Sequence, residues 1–355
     1  MRILGIESSC DETAAAVVAD GRRMLSNVVA SQTALHQETG GVVPEVAARA
    51  HAERITAVVD EALLAAGCGP ADIAGLSVVN RPGLVGALLV GISAAKALAL
   101  AWDRPLVAVD HIMGHVYAAT LAGFPRFPHI ALIVSGGHTC LYRVSSPLET
   151  AVLGQTADDA AGEAFDKVAK MLELGFPGGP ALSKLAAQAA PDERGLFAHV
   201  ARAALSSDAG GAGAGGAGLD FSFSGLKTAV YYHLRGTTHG RGPLRALTER
   251  ERAAVAASFQ EAACEIMASR TLAACRREHI AAAAVGGGVA CNKRLREMFQ
   301  ERAAAQNPPV EVFFPPLELC TDNAAMSAGL AWHRLSRGER DGLDIDADPT
   351  PKRAG

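Results

Sequence analysis

The order of strand-like and helix-like segments starts twice in this 355-residue chain, and a repeat of that kind leaves few architectures open. MRILGIESSCDETAAAVV opens the chain with two short apolar runs, residues 3–6 and 13–18, around the turn SSCDE. From His129, HIALIVSGGHTCLYRV reads as the same kind of hairpin, with Gly136 and Gly137 at its turn. After the first hairpin and a polar loop at 36–41, the spacing predicts a helix over 44–66, opened by proline and closed by Gly67. A strand at 73–79, the glycine-rich NRPGLVGALLVG, a helix through Leu100, a strand at 105–109 and a helix capped by Asp110 complete a mixed α/β half. After the second hairpin, helices are expected over 162–174, 180–190, 250–278 and 290–304, with a buried-type strand at 280–285. Duplication of one α/β unit explains the order. The domains expected are 1–127 and 128–336, with a flexible insertion at 206–218, where AGGAGAGGAG has too little side chain to pack, and a disordered charged tail at 337–355.

Composition sets limits on function. With 20% charged residues and a formal net charge of −4, a nucleic-acid partner must be met by a local basic patch or with help from another subunit. Seven cysteines without a C-x-x-C pair argue for a reducing compartment and against a disulfide framework. The N-terminus lacks a charged segment followed by a long apolar core, and no run of eighteen uninterrupted apolar residues occurs, so a cytoplasmic protein without a membrane partner is expected.

His111 and His115, four apart in DHIMGHVYAA, share one face of a helix, which is metal-clamp geometry as well as a common chance spacing. Asp322, in LELCTDNAAMSAGLAW, starts a second apolar helix and is a candidate oxygen ligand projecting from its first turn. Two histidines and a carboxylate leave coordination positions open for substrate. Ile112 stands where the zincin protease motif needs glutamate, which disfavours proteolysis, and the all-β run that would carry an oxygenase site of this ligand set is missing.

Three glycine turns bear on ligand binding. SGGHT lets backbone N–H groups approach an anion, with Ser135 and His138 as extra donors; a simple hairpin turn is the alternative. VGGGVACNKRLREMF opens a helix from an apolar strand, a geometry suited to phosphate, and its Asn292 is either a nucleotide contact or an ordinary helix-start asparagine. GFPGGPALSKLA brings Gly178, Gly179 and Pro180 to another helix start. Together the turns suggest two half-domains facing a nucleotide cleft.

At this point the motifs GIESSCDETAAAVV, GGVVPEVAARAH, RPGLVGALLVG, DHIMGHVYAA, VSGGHT, GEAFDKVAKMLELGFPGGP, FSFSGLKT, VGGGVACNKRLR and CTDNAAM resemble the TsaD family over residues 2 to about 335. That family comprises tRNA adenosine threonylcarbamoyltransferases, once described as sialoglycoprotein endopeptidases. The resemblance implies an actin-like ATPase fold, that of sugar kinases and heat-shock chaperones, with two related RNase H-like α/β domains. It implies transfer of threonylcarbamoyl from threonylcarbamoyl-adenylate to the N6 amine of the adenosine 3′ of the anticodon. It also implies a metal, Fe(II) or alternatively Zn(II), held by His111, His115 and Asp322, and an adenylate contacted by Val134, Ser135, Gly136, Gly137, His138, Asp166, Gly179, Asn292 and Ser183. Implied partners are the tRNA anticodon loop, a TsaB-like paralogous subunit and a TsaE-like ATPase.

Residue chemistry fits that reaction. An aromatic exocyclic amine is a weak nucleophile, so the acyl carbon needs an activated leaving group and a cation to neutralise it. Asp11 and Glu12, on the first hairpin's turn, are candidates to orient the metal shell or accept the amine proton, or are acidic residues of an exposed turn. Arg235, Arg241, Arg245, Arg250 and Arg252 near Tyr231 and Tyr232, and separately Lys293, Arg294 and Arg296, are candidate RNA-tracking patches. A small-molecule kinase of the superfamily, which gives no reason for the histidine pair, another carbamoyltransferase and a noncatalytic scaffold are the rival readings.

Overall fold

The computed structural model describes residues 1–124, 126–206, 218–236 and 245–350. They divide into two compact units. The first unit carries β1 (Arg2–Glu7), β2 (Glu12–Ala19), β3 (Arg23–Ser31), α1 (Thr33–Thr39), α2 (Pro44–Ala65), β4 (Gly75–Arg81), α3 (Val85–Trp102), β5 (Leu106–Asp110) and α4 (His111–Leu121). Its sheet runs β3-β2-β1-β4-β5, with β1 antiparallel to β2 and parallel to β4, and β4 parallel to β5.

Both faces of this sheet are covered, so β1 and β2 read as continuous apolar runs instead of alternating ones. The two-residue period still sorts their side chains. Ala15 and Val17 face one cluster, with Leu4, Ile6, Val58 and Ile92, while Ala14, Ala16 and Val18 face the other, with Ile3, Tyr117 and Ala328. Helix α3 is long and apolar enough to cross a membrane by length and composition. Its Leu88, Ile92, Ala95 and Ala99 are instead part of the first cluster.

The second unit carries β6 (His129–Val134), β7 (Thr139–Ser146), β8 (Glu149–Gln155), α5 (Ala161–Met171), α6 (Gly178–Ala186), α7 (Ala198–Ser206), α8 (Ser224–Arg235), α9 (Glu249–Arg277), β9 (Ala282–Gly286), α10 (Lys293–Ala304) and β10 (Glu311–Phe313). Its sheet order, β10-β9-β6-β7-β8, is that of the first sheet with each strand replaced by its counterpart. β6 is antiparallel to β7 and parallel to β9, as β1 is to β2 and β4. The two hairpins seen in the sequence are thus the central strands of two like sheets. Helix α9 starts at a capping box, where Thr248 Oγ1 accepts from Glu251 N at 3.2 Å and Glu251 Oε2 accepts from Thr248 N at 2.8 Å.

The expected domain limits need two corrections. From Pro315 onward the chain belongs to the first unit, which also takes residues 145–150. α11 (Leu317–Cys320) and α12 (Ala324–Leu335) are therefore not part of the second domain. The cause is steric: Gly5 on β1 has no Cβ, and one added there would come within 2.5 Å of the Ala324 carbonyl, so α12 seats directly on the first sheet. Nor is the charged stretch after 337 disordered up to residue 350. Asp341 N donates to Leu106 O at 2.8 Å, its carboxylate accepts from Ala108 N at 2.7 Å and from Arg334 at 3.1 Å, and Asp348 N donates to Asn80 O at 2.9 Å. These bonds lay the tail along the β5 edge, where Ile345 and Ala347 join the core. The Gly/Ala insertion lies outside the described residues except for its ends, residues 206 and 218; the Arg270 guanidinium donates to the carbonyls of Gly218 and of Ala204, just before the insertion.

Candidate active site

Asp110 starts the first part of the site, as the sequence predicts: its Oδ1 accepts from Ile112 N at 2.9 Å and Met113 N at 3.2 Å, and α4 begins at His111. Such a cap is worth about 1 kcal/mol and fixes where the helical period starts. His111 and His115 then fall one turn apart, their ring centroids 4.7 Å from one another. Both Nε2 atoms approach the same oxygen, Asp322 Oδ1, at 3.5 Å and 3.2 Å. Asp322 precedes the capping residue instead of lying in the helix's first turn: Asn323 Oδ1 accepts from Met326 N at 3.1 Å and α12 starts at Ala324. Small residues let the two helices close up. A Cβ on Gly114 would lie 3.1 Å from Met326 Cγ, and one on Gly329 2.6 Å from the Tyr117 ring.

Two residues that sequence reasoning missed complete the surroundings of His111. Glu7, fully buried at the end of β1, places Oε2 2.9 Å from His111 Nδ1 and accepts from Ser9 N through Oε1 at 2.7 Å. Ser9 Oγ is 3.2 Å from the same Nδ1. A charge that closes the apolar run ILGI was the available signal for Glu7; Ser9 had none. Burial alone would lower the His111 pKa, but the Asp322 and Glu7 carboxylates outweigh it and raise it to about 9. With Nδ1 engaged by Glu7, Nε2 is the nitrogen left for a cation, the arrangement in which a carboxylate orients a ligand imidazole. Donor atoms of His111, His115 and Asp322 all lie within 4.8 Å of one another. Two buried polar atoms here, His115 Nδ1 and Glu12 Oε2, have no hydrogen-bond partner. The trio therefore fits one divalent ion.

Asp11 and Glu12 are half-buried on the β1–β2 turn. Ser31 Oγ donates to Glu12 Oε1 at 2.8 Å. Burial raises the Glu12 carboxyl to about 7, against the Ser31 bond, and the negative charges of Asp11 and Asp322 add to the rise. That value suits a proton acceptor near neutrality.

In the second unit the glycine turns join in a closed chain of contacts. Ser135 N donates to His138 O at 2.8 Å across the SGGHT turn, and Gly162 N donates to Ser135 O at 3.1 Å, fastening the turn to the first residues of α5. Asp166, one turn on, accepts from Gly179 N at 3.1 Å, and burial raises its pKa. Ser183 on α6 accepts from Asn292 Nδ2 at 3.0 Å. Five residues before Asn292, Gly287 adopts φ +87° against the Val134 carbonyl, which returns the chain of contacts to its start. Val134, Ser135, Gly136, Gly137, His138, Asp166, Gly179, Ser183 and Asn292 are thus gathered at the carboxyl ends of β6 and β9, where open α/β sheets bind ligands. Gly136, Gly137, Gly179 and Gly288 have open space where a side chain would be. Asn292 is the cap of α10, its Oδ1 accepting from Leu295 N at 3.0 Å, and its Nδ2 also reaches Gln260 at 2.8 Å. Gln260, inside an alanine-rich helix, gave no sequence signal.

Residues 23–329 match the model of the family described as TsaD, tRNA N6-adenosine threonylcarbamoyltransferase. The chain belongs to this family. A TsaD-family protein named tRNA N6-adenosine threonylcarbamoyltransferase, from Anaeromyxobacter dehalogenans (strain 2CP-C), is 50% identical over 349 residues, covering 98% of each chain. Among solved structures, full-length HypF in its phosphate- and nucleotide-bound form aligns at TM-score 0.57 and 13% identity over 94% of this chain and 55% of HypF. The Acidaminococcus fermentans (R)-2-hydroxyglutaryl-CoA dehydratase component A aligns at 0.52 and 16% over 95% and 99%. These likenesses bear on fold alone, which is the actin-like ATPase fold expected of the TsaD family.

Several residues of the basic stretches have partners within the chain, although Arg250 and Lys293 keep exposed side chains. Arg250 pairs with Glu193 at 2.5 Å, Arg245 with Glu251 at 3.6 Å, and Arg252 donates to Leu172 O. Arg235 stands 4.6 Å over the Tyr231 ring, and Arg294 binds Glu261 at 2.8 Å. Arg241 lies outside the described residues.

Proposed function

We propose that this chain transfers the threonylcarbamoyl group of threonylcarbamoyl-adenylate to N6 of the adenosine 3′ of the anticodon in tRNAs reading ANN codons, releasing AMP. The observation that carries the mechanism is the convergence of two imidazole Nε2 atoms on the Asp322 carboxylate, with Glu7 behind His111. Here His111, His115 and Asp322 hold a divalent ion, Fe(II) by preference and Zn(II) as the alternative, since both accept this donor set. When bound, that ion supplies Lewis-acid neutralisation of charge on an oxygen.

In the transfer, the N6–carbon bond forms, the carbon–oxygen bond to the adenylate phosphate breaks, and AMP leaves with the electron pair. The N6 proton needs an acceptor. Glu12 fills that role, with a carboxyl near 7 and one oxygen without a partner, and Asp11 acts through its charge. The Val134–His138 turn and the start of α6 hold the adenylate, Asp166 keeps Gly179 in place, and the Ser183–Asn292 pair meets the nucleoside. The target adenosine lies in a loop, where unstacking costs little. A TsaB-like subunit and a TsaE-like ATPase are the proposed partners, and the cytoplasm the proposed compartment.

The test supplies synthetic threonylcarbamoyl-adenylate, anticodon-loop RNA and the partner proteins to wild type, His111→Ala and Asp322→Ala. Product from wild type alone is the expected result. Equal product from all three refutes the metal mechanism, and none from wild type refutes the function. Elemental analysis of wild type against His115→Ala identifies the ion.

A further inference from the structure

None of these steps uses His51, a fully buried histidine on α2 in the stretch GGVVPEVAARAH. Its two ring nitrogens have different partners on the β1–β2 turn. Nε2 lies 3.1 Å from the Cys10 carbonyl and Nδ1 2.8 Å from Thr13 Oγ1. A carbonyl oxygen only accepts, so Nε2 carries the proton and Nδ1 accepts from the Thr13 hydroxyl. Cys10 and Thr13 flank Asp11 and Glu12, so one imidazole grips the backbone before the acidic pair and the side chain after it.

The turn's other anchors come from α3 and from the end of β3, and His51 adds a third side. Ser8 Oγ donates to Ala87 O at 2.8 Å and Ser9 O accepts from Leu84 N at 2.8 Å, which fixes the turn's first half against α3. Beyond them, Gln32 N donates to Asp11 O at 3.1 Å and Ser31 Oγ to Glu12 Oε1 at 2.8 Å, both from the end of β3 and the residue after it. Among the described residues, the hydrogen bonds that reach the turn from α2 are those of His51.

We propose that His51 is a positioning residue for the transfer reaction: as the neutral Nε2–H tautomer it clamps Cys10 and Thr13 and so sets where the Glu12 carboxylate stands. The inference rests on the proposed function. Burial lowers the imidazole's pKa, against the pull of the Cys10 bond and of Glu7 and Asp11, while nearby His36 adds to the lowering; the neutral form follows. Replacing His51 by an apolar side chain leaves the Cys10 carbonyl and Thr13 hydroxyl buried without this partner, and the turn relaxes to recover bonds elsewhere. A shift of about 1 Å in a reacting group costs on the order of 100-fold in rate.

The test compares wild type, His51→Leu, His51→Gln and Thr13→Val with synthetic adenylate, anticodon-loop RNA and the partner proteins. For His51→Leu, kcat falls about 10- to 100-fold, while KM for the adenylate and the bound metal match wild type. His51→Gln keeps an N–H for the Cys10 carbonyl and recovers most of the rate; Thr13→Val falls between. Imidazole 15N shifts of wild type report a neutral ring protonated on Nε2 at about pH 7 and above. Unchanged kcat in His51→Leu, a loss that tracks metal loss, failure of His51→Gln to rescue, or a ring that is cationic or protonated on Nδ1 overturns the inference. Should His51→Leu not fold, Thr13→Val and the 15N spectrum decide. A silent wild type overturns the functional reading; an active wild type with an indifferent His51→Leu overturns only the positioning role.

Discussion

Glu7 Oε2 stands 2.9 Å from His111 Nδ1, although 104 residues separate the two in the chain. β1 delivers the carboxylate and α4 the imidazole, and the contact decides which ring nitrogen faces Asp322. Removing such a partner weakens metal binding by about 10- to 100-fold. Glu7→Gln should show this in a metal competition titration. It should also lose ~1–3 kcal/mol in chemical denaturation, because a glutamine cannot accept from both His111 and Ser9 N.

Gly5→Ala tests how α12 reaches the site. The added methyl would meet the Ala324 carbonyl at 2.5 Å, so either strand or helix must move, and Asp322 lies two residues before that contact. A loss of about 1–3 kcal/mol is expected, in the range of core overpacking. Metal content of the folded variant should fall with it, read by elemental analysis.

The repeated sheets were legible because their hairpins carry local signals, apolar runs closed by SSCDE and SGGHT. β3 was missed because RMLSNVVAS is an edge strand with exposed Arg23 and Met24 and no clean alternation. β10 is three residues long and leaves no pattern. In the site, the histidine spacing follows from helical period, whereas Asp322, 207 residues past His115, stands out locally only as an acidic residue where an apolar helix starts, and the family resemblance supports its pairing with them, since no local rule reaches that far. The tail misled because its composition is that of a disordered segment, while its individual charges have specific partners on β5 and α12.

Glu12→Gln separates charge from shape. In the wild-type fold the carboxyl is raised from 4.5 to about 7 by burial, with Asp11 and Asp322 adding to the rise and Ser31 opposing it. The ionised base is therefore lost as pH falls through about 7 in the metal-free protein, and at a lower pH once a cation screens Asp322. The acidic limb of log kcat against pH should be present in wild type and missing from the residual rate of Glu12→Gln. Stability has the opposite sense. A raised carboxyl favours the fold below the unfolded value and loses that contribution as pH rises to about 7. The denaturation midpoint of metal-free Glu12→Gln should gain on wild type between about pH 5 and 8.

Gly287→Ala addresses the second unit. Its φ of +87° is strained for any residue with a Cβ, and that atom would overlap the Val134 carbonyl. Strain of this kind costs of order 1–3 kcal/mol. The ring of contacts from Val134 to Asn292 should open, raising KM for the adenylate while metal content stays that of wild type. A variant with normal KM and reduced metal would place the glycine in the wrong half of the mechanism.

Asp341→Asn asks whether the tail is structural. The carboxylate accepts from Ala108 N at 2.7 Å and takes both Nη atoms of Arg334, which itself donates to Ala108 O at 2.9 Å. An amide keeps one acceptor and turns the other toward the guanidinium as a donor, so one charge-assisted bond becomes a repulsion. A loss of about 1.5–3 kcal/mol is expected. The tail covers the outer edge of β5, and freeing it exposes a strand edge that pairs readily with another chain. The variant should therefore show faster exchange at the Ala108 amide and a greater tendency to self-associate. If exchange there matches wild type, the tail's bonds contribute nothing to the edge. His111 and His115 follow β5 directly, so a frayed edge should also reach the metal site and lower its occupancy.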